Sequence, residues 1–581
     1  MPDTPAVSPP GAPAPLDLHV VAATLRSGSA TDAWVRSWLP ATCAAPERFV
    51  EALYGHVMAH RRGMKSRLGR AYDLYHDCVV ANLEVRTPAL FARPRDGAPY
   101  EEISYGTLHD RCTLLAAAWK RLGVERGQSV CVALPVGVEY AVSILTGLRM
   151  GLVITTLEPH GPTFVRSRLE VLSPDWTATN ERLRGTLRLP PAHLLPVVGV
   201  SDTGAPPMSS HTPDDVVFSL FSPFGEGDAP VEVTAGALHA SLLRDGLVVL
   251  GLETSDVLAA PAFDPMQAAP HLLLVALAAG ACYAEISPAD LESDPRLAAR
   301  ARLSVLGVGR DLRERMLARG ADWLGATGRV WFKNLTDVLE VDRWEALARL
   351  LSSKKLPGLN LFVNAATGGI ELFSPRAAAP SCLRAWPVPG RSFQLSEVAA
   401  GAVPALNDTG VYTVMDGKAP AELPLPRFLL ARQGDGYFFA GALDVGQDAQ
   451  TYPRAEVARV AAQLPAVRHA TVVLGPGRWM NDARTVLIVF TDDARGPDGL
   501  LALPVTIPEI RARVAREMGA RFVPERIIIY PLRPRLVNGA VDDGWCRSQY
   551  LSGTLDAKAR SEMFILLSRL GYILAGGASG E

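Results

Sequence analysis

The chain has 581 residues, more than one compact core usually holds, so we expect two or more domains. Its formal net charge is -2, which favours neither nucleic acid nor an anionic membrane as a partner, and we predict neither. The seven cysteines form no CxxC pair and no Cys/His cluster at metal spacing. We therefore predict reduced thiols, a cytoplasmic location and no metal site.

The first 442 residues predict a short leader followed by a large α/β unit. Residues 1–45 are rich in proline and alanine, lack the features of a signal peptide and predict a loosely ordered leader. Hydrophobic spacing then predicts a helix over 108–122, a strand over 129–135, a helix over 138–150 and a strand over 152–157. This alternation favours parallel sheets covered by helices over 46–442.

A second, smaller α/β unit is predicted over 443–550. The pattern indicates a helix over 454–463, strands over 470–474 and 485–491, a helix over 507–518 and a strand over 526–530. Residues 551–581 are predicted to form a helix, centred on 557–570, and a tail. The predicted fold class is therefore α/β, with a large unit of stacked sheets and helices and a small C-terminal unit.

Several short motifs, in this order and spacing, resemble the acyl-adenylating (ANL) superfamily. They are 103–108 (ISYGTL), 146–151 (TGLRMG), 276–281 (ALAAGA), 435–438 (DGYF) and 538–539 (NG). The resemblance implies a large acyl-CoA-synthetase-like domain and a mobile C-terminal domain with a hinge at Asp444. It also implies activation of a carboxylate with ATP, followed in many members by acyl transfer to a thiol.

The positions that the resemblance assigns to ATP chemistry carry other residue types here. They are Val231 for the lysine of the phosphate loop, Ala366 for the Mg²⁺-binding glutamate, Phe428 for the ribose-binding aspartate, Ala442 for an arginine and Ala540 for the catalytic lysine. The phosphate loop also contains Glu226 and Asp228, whose carboxylates repel a triphosphate. An alanine cannot ligate a hard cation. We therefore expect no bound cofactor and no use of ATP or Mg²⁺.

His271 is the candidate catalytic residue. It follows Pro270 at the predicted start of the apolar helix 272–279. A helix N-terminus lowers the pKa of a histidine, so His271 can serve as a neutral base or orient an acyl group. The alternative is a polar helix-end residue that faces solvent.

The resemblance further implies an acyl or thioester pocket. Its candidate residues are Phe263, Asp264, Thr367, Gly368 and Gly369. The last three can equally be a tight turn inherited from an ancestor.

An acyl-cysteine intermediate is a weaker possibility. Cys112 and Cys131 fall in apolar helix and strand patterns and are predicted to be core residues. Cys282, Cys382 and Cys546 are open candidates, but direct transfer to the incoming thiol is the simpler expectation.

Three functions stay open at this point. The pattern of losses is similar to that of a non-adenylating family member that moves an aryl group from acyl-CoA to an acyl carrier protein, which primes polyketide or other secondary-metabolite synthesis. The alternatives are an ATP-dependent carboxylic acid–CoA ligase with divergent motifs and a catalytically inactive scaffold.

Overall fold

The structure is a computed structural model. It describes residues 42, 46–60, 63–94, 98–189, 193–201, 203–221, 230–261, 263, 266, 268–320, 323–324, 327–334, 341–352, 358–364, 369–376, 384–397, 409–415, 428–433, 436–442, 452–476, 483–491, 505–530, 533–555 and 557–558. Of the sequence predictions, the leader apart from Thr42, and Glu226, Asp228, Asp264, Ala366, Thr367, Gly368, Cys382 and Asp444, lie outside these ranges.

The helices are distributed over the whole described chain. In order they are α1 (Pro46–His60), α2 (Leu74–Cys78), α3 (Tyr105–Arg121), α4 (Val138–Met150), α5 (Pro162–Leu172), α6 (Glu181–Leu187), α7 (Ala235–Leu243), α8 (Ala269–Ala278), α9 (Pro288–Ser293), α10 (Leu297–Arg300), α11 (Arg310–Arg319), α12 (Val341–Ser352), α13 (Arg454–Ala462), α14 (Ile507–Glu517) and α15 (Asp543–Leu551). Short 3₁₀ turns cover Val80–Asn82 and Ala520–Phe522, and a π turn, Arg244–Val249, continues α7.

The larger sheet has thirteen strands, parallel in the middle and antiparallel toward both edges. Its strands are β1 (Leu90–Ala92), β2 (Glu101–Ile103), β9 (Val257–Ala259), β10 (Cys282–Ala284), β11 (Val305–Val308), β12 (Val330–Asn334), β13 (Gly358–Asn364), β14 (Gly369–Arg376), β15 (Arg384–Pro387), β16 (Ser392–Glu397), β17 (Thr409–Met415), β18 (Phe428–Gln433) and β19 (Gly436–Ala442). They lie in the order β16-β17-β18-β19-β15-β14-β13-β12-β11-β9-β10-β1-β2.

A six-stranded sheet, mostly parallel, completes the large unit. Its strands are β3 (Ser129–Ala133), β4 (Val153–Leu157), β5 (Trp176–Ala178), β6 (Leu194–Leu195), β7 (Val216–Leu220) and β8 (Val231–Thr234). They lie in the order β6-β5-β3-β4-β7-β8, and only the β7–β8 pair is antiparallel. The apolar helix α4 packs on this sheet, since all but one of its thirteen residues are buried.

The C-terminal unit has its own three-stranded sheet and a two-stranded hairpin. The strands are β20 (His469–Pro476), β21 (Ala483–Phe490), β22 (Arg526–Tyr530), β23 (Leu536–Val537) and β24 (Ala540–Val541). β21 pairs antiparallel with β20 and parallel with β22. Helix α14 bridges β21 and β22 and starts with a capping box in which Thr506 and Glu509 bond each other's backbone N–H.

The predicted α/β class, with a large sheeted unit and a small C-terminal unit, is confirmed. Helix α4 has the predicted bounds, and α3 begins three residues earlier than predicted because Ser104 caps it, accepting from Thr107 N–H. The predicted helix over 557–570 lies almost entirely outside the described residues, whereas α15, over 543–551, was not predicted. Among the described residues, no helix is both long and apolar enough to cross a membrane.

Candidate functional site

A cavity of about 580 Å³ lies where the large unit meets the C-terminal unit. Apolar and aromatic side chains form most of its wall, together with carboxylates and one arginine. The lining residues are Val136, Glu158, Ala260, Pro261, Phe263, Ala269, Leu272, Tyr283, Ala284, Glu285, Ile286, Ser287, Pro288, Asp311 and Arg521. Both units build the wall, because Arg521 belongs to the C-terminal 3₁₀ turn and the others to the large unit.

Phe263 is the predicted pocket residue that lines this cavity. It is partly buried, and its ring meets Phe332 edge to face with 5.3 Å between centroids. The wall also includes Glu158, whose carboxylate lies 3.3 Å from Arg521 Nη1. An ion pair between the two units therefore borders the cavity.

His271 does not face solvent, so the solvent-facing alternative is wrong. Only 2% of the residue is exposed, and its Nε2 lies 2.7 Å from Asp245 Oδ2. Asp245 is fully buried and also accepts from Arg244 Nε at 2.6 Å and from Ile370 N–H at 2.8 Å. His271 is thus fixed from one side by a buried carboxylate, and its helix neighbours Ala269 and Leu272 line the cavity.

The charge of Asp245 is stabilised by its surroundings. Burial alone would raise the pKa of this carboxyl, but Arg244 and His271 outweigh burial and hold the pKa below its usual range. A carboxylate can only accept hydrogen bonds, so a neutral His271 carries its proton on Nε2 and its lone pair on Nδ1. Nδ1 is buried and has no hydrogen-bond partner among the described residues.

Gly369 is brought directly against this pair. Its φ is +106°, and a Cβ atom there would lie 2.3 Å from His271 Nε2 and 2.5 Å from Asp245 Oδ2. The position therefore requires glycine for space and for backbone conformation. Two segments that the sequence pointed to separately, around His271 and around Gly369, form one site.

Sequence reasoning missed Asp245 and Arg244. They open the π turn that continues α7, and such turns are frequently found at functional sites. The available signal was an adjacent Arg-Asp pair inside the apolar run 242–250, where a buried charge needs a partner. Arg244 also donates from Nη2 to the carbonyl of Ile370 at 2.9 Å, which ties the turn to β14.

The structure places some of the positions that the resemblance assigns to ATP chemistry. Phe428 and Ala442 are direct cross-strand partners at the ends of β18 and β19. Val231 opens β8 opposite Leu220, and Ala540 lies in the β23–β24 hairpin opposite Val537. The ribose position and the arginine position of the resemblance are therefore neighbours in one ladder.

Four of the five described cysteines are poor nucleophiles. Cys112, Cys131, Cys282 and Cys546 are fully buried and free. Burial raises the pKa of Cys112, Cys131 and Cys546 to about 12 and also raises the pKa of Cys282. A thiol with such a pKa is almost entirely protonated near neutral pH. The described residues also include no group of three or more His, Cys, Asp or Glu side chains placed to hold a metal ion.

Comparison with known sequences identifies one segment. Residues 80–173 match the sequence model of the family described as AMP-binding enzyme. Two acetyl-coenzyme A synthetases are similar over short stretches: that of Alkalilimnicola ehrlichii is 36% identical over 85 residues, 14% of this chain, and that of Halorhodospira halophila is 30% identical over 126 residues, 21% of this chain. The chain spans only 13% and 20% of the length of these relatives.

Solved structures resemble about four fifths of the chain, each with a TM-score of 0.62. A double mutant of o-succinylbenzoate CoA synthetase from Bacillus subtilis, bound to a product analogue, is 12% identical and covers 82% of this chain and 97% of its own. NpsA-ThdA from Klebsiella oxytoca, an artificially fused adenylation–PCP di-domain, is 14% identical and covers 80% and 87%. The amide bond synthetase McbA from Marinactinospora thermotolerans is 15% identical and covers 82% and 99%.

At these identities the likeness establishes the fold. The chain has the mixed α/β fold of the acyl-adenylating enzymes, and residues 80–173 carry the sequence pattern of an AMP-binding enzyme.

Proposed function

We propose that this chain transfers an acyl group from CoA to the phosphopantetheine thiol of an acyl carrier protein without using ATP. The proposal rests on the contrast between the fold and the cavity, which are present, and the residue types at the ATP positions. The adenylating fold and a cavity walled by both units are present. The positions that would handle phosphate, metal and ribose, and the catalytic lysine position, carry Val231, Ala366, Phe428, Ala442 and Ala540.

The free energy of the missing contacts to ATP argues against efficient adenylation. A hydrogen bond to a charged group contributes about 1.5–3 kcal/mol, and a preorganised contact to a transition state about 2.7–4 kcal/mol. Together the missing contacts amount to roughly 10 kcal/mol, although such contributions are not additive. Half of that would slow adenylation by about a thousandfold or more.

Transfer between two thiols does not need the missing residues. The carrier thiol gives up its proton, its sulfur attacks the thioester carbonyl, and CoA leaves as a thiolate that takes up a proton. One thioester bond forms as another breaks, so the reaction is close to neutral in free energy. A free thiol has a pKa of about 8.5, so a nearby base assists the attack.

His271 is the candidate base in this proposal. Asp245 holds its Nε2, which leaves the Nδ1 lone pair as the acceptor for a proton. Ala269 and Leu272 of the same helix line the cavity, whereas His271 itself is not among the lining residues. In this proposal its role is either to accept the thiol proton or to fix the helix that shapes the wall.

The cavity suits a pantetheine arm. Its volume of about 580 Å³ falls in the range of small-molecule sites, roughly 300–1,000 Å³. The wall is largely apolar, and Glu158, Glu285 and Arg521 supply polar groups that can bond the amides of the arm. With direct transfer, no cysteine of the chain takes part, in keeping with the buried thiols described above.

An ATP-dependent acid–CoA ligase is the second candidate. The similarity of residues 80–173 to AMP-binding enzymes and the two acetyl-coenzyme A synthetase matches favour it. A ligase releases pyrophosphate only when its carboxylic acid is present, and the transferase releases none.

The decisive experiment is carrier loading without ATP. Purified protein is mixed with a phosphopantetheinylated carrier and a panel of acyl-CoAs, and the intact mass of the carrier is measured. Anthraniloyl-CoA is the first probe, because the losses are similar to those in the anthraniloyl-CoA to carrier transferase that primes aurachin synthesis. We expect a mass gain of one acyl group that requires the protein.

The control is the same carrier without its phosphopantetheine arm, which should gain no mass. No loading across the panel would overturn the proposal. Acid-dependent pyrophosphate release would then establish the ligase, and the absence of both activities would leave a scaffold.

A further inference from the structure

The contact between the two units is built like a protein interior. We call it the seam, formed by residues 157–172 of the large unit and by residues 452–461 and 510–522 of the C-terminal unit. One buried apolar cluster runs through both sides. Its buried members include Leu157, Phe164 and Val165 on one side and Val457, Val514, Met518 and Phe522 on the other. Parting the units would expose the apolar surface that the two sides share to water.

The backbones of the two units touch at Gly161. Gly161 N–H donates to the carbonyl of Met518 at 2.8 Å. A Cβ atom on Gly161 would lie 2.2 Å from the carbonyl carbon and oxygen of Glu517, closer than real Cβ contacts. The φ of Gly161 is -87°, a value that any residue adopts, so the large unit itself does not require glycine here. Glycine is needed only because the C-terminal unit is docked.

A buried ion pair crosses the seam beside this contact. Arg168 Nη1 lies 2.8 Å from both carboxylate oxygens of Glu456, and the two side chains are 7% and 5% exposed. Ser167 Oγ donates to the same carboxylate at 2.7 Å. Thr163 Oγ1 donates to Glu517 Oε2 at 3.0 Å. Separating the units would leave Arg168 and Glu456 without each other, so the pair fixes one register between them.

Aromatic rings fill the remaining space. The rings of Phe164 and Phe522 stack with 5.1 Å between centroids, and His160 meets both of them edge to face at 4.9 and 4.7 Å. Tyr452 packs against Phe522 and donates its hydroxyl to the Phe522 carbonyl at 2.7 Å. Interfaces between domains of one chain are ordinarily more polar than obligate ones, whereas this one is filled by apolar and aromatic side chains.

We propose that the C-terminal unit is permanently docked as a fixed wall of the cavity, and that it does not rotate between two working positions. The β23–β24 hairpin fits this arrangement, since Leu536 and Val537 in it are 44% and 48% exposed. A hairpin that stays at the surface has no use for a catalytic lysine, and Ala540 stands at that position. The inference goes beyond the proposed transferase activity, and the distance between the units can be measured without turnover.

The test measures that distance by pulsed electron spin resonance. Spin labels are attached at Thr186→Cys in α6 and Ser548→Cys in α15, both exposed positions. The labelled protein also carries Cys43→Ser and Cys382→Ser, so that these two cysteines take up no spin label. The described cysteines are buried and are left in place. Distances are recorded for the full chain alone, with benzoyl-CoA, with phosphopantetheinylated carrier, and with ATP and Mg²⁺. We expect one narrow distribution that is the same in every case.

A second population, or a shift larger than the width of the distribution with any ligand, would overturn the proposal. Gly161→Ala should broaden the distribution, because the new methyl group collides with Glu517 across the seam. Gly185→Ala is the matched control, since nothing lies within 4 Å of a Cβ there, and it should leave the distribution unchanged. A narrow and unchanged distribution in Gly161→Ala would show that the seam does not hold the units.

Discussion

At the scale of single residues, the site depends on three positions that lie far apart in the chain. Asp245, His271 and Gly369 come from a π turn, a helix start and a strand start; Asp245 and His271 are hydrogen-bonded, and Gly369 packs directly against both. A buried aspartate with three donor neighbours, Arg244, His271 and the Ile370 N–H, is satisfied only while all of them stay in place. Substitutions at these positions therefore affect stability and the placement of the imidazole together.

Replacing Gly369 with alanine should destabilise the protein. The methyl group would collide with His271 Nε2 and Asp245 Oδ2, and alanine at a φ of +106° is strained. Backbone strain alone contributes roughly 1–3 kcal/mol. Thermal unfolding should show a clearly lower Tm for Gly369→Ala. The control Gly55→Ala, in α1 with nothing within 4 Å of a Cβ, should not lower Tm; an equal effect of both would contradict this reading.

Replacing Asp245 with asparagine should change how stability depends on pH. The folded pKa of Asp245 lies below its ordinary value, so the unfolded chain takes up the proton first as pH falls. The stabilisation from Asp245 is full above about pH 4–5 and is lost progressively below the ordinary aspartate pKa of about 3.9. Asp245→Asn should be destabilised by about 3–5 kcal/mol at pH 7, because Arg244 stays buried without its carboxylate.

The measurement is Tm from pH 7 to pH 3 for both proteins. The difference between them should shrink as pH falls through the acidic range. A constant difference over the whole range would mean that Asp245 is not ionised in the folded protein.

At the scale of elements, the positions that the resemblance assigns to ATP chemistry lie on several separate strands. Phe428 and Ala442 face each other in the β18–β19 ladder, and Ala540 is part of the exposed β23–β24 hairpin. Restoring one element therefore leaves the others without their ATP contacts. The expected consequence is that no single reversion brings back adenylation.

Replacing Ala540 with lysine should leave pyrophosphate release at background. The new lysine would lie in a surface hairpin, and the phosphate, metal and ribose positions would still carry Val231, Ala366 and Phe428. A coupled pyrophosphate assay over a panel of carboxylic acids checks this. Acid-dependent release in Ala540→Lys would show that one residue had been limiting and that the ligase interpretation is right.

The spacing of hydrophobic residues predicted the bounds of helices well where burial of those residues determines the bounds. The bounds of α4 were predicted from sequence because its residues are buried nearly all round and Gly151 ends it with φ of +74°. Helix α15 was missed, because its start is set by Asp542 accepting from Trp545 N–H and only Cys546 within it is buried. Local capping without an apolar stripe gives a weak periodic signal.

The candidate site was predicted only in part, for a different reason. His271 and Gly369 were singled out from local patterns, but their contact through Asp245 joins segments separated by up to 125 residues. Such a contact depends on the sheet and helix packing, which sequence spacing does not encode. The same holds for the seam, where Gly161 looks like an ordinary residue before a proline.

At the scale of the whole molecule, the seam makes the two units interdependent. The buried pair Arg168–Glu456 joins residues 288 positions apart, and the apolar cluster around it includes side chains from both units. Stability measured anywhere in the chain should therefore respond to changes at the seam. A loosely tethered unit would instead unfold by itself.

A double-mutant cycle on Arg168 and Glu456 should show strong coupling. Each single alanine variant leaves one charge buried and should lose about 3–5 kcal/mol, whereas the double variant should lose less than the sum. Denaturant unfolding of the four proteins gives the coupling energy. The exposed pair Glu181–Arg184, 3.4 Å apart, is the control and should couple by about 0.2–1 kcal/mol. Equal coupling in both cycles would contradict a permanent seam.

The pairing of Phe428 with Ala442 has a consequence for any attempt to engineer nucleotide binding into this chain. The resemblance assigns an aspartate and an arginine to these two facing positions, and either residue introduced alone would place an unmatched charge in the ladder. Under the proposed function, two linked substitutions, and not one, therefore separate this chain from a ribose-binding pair.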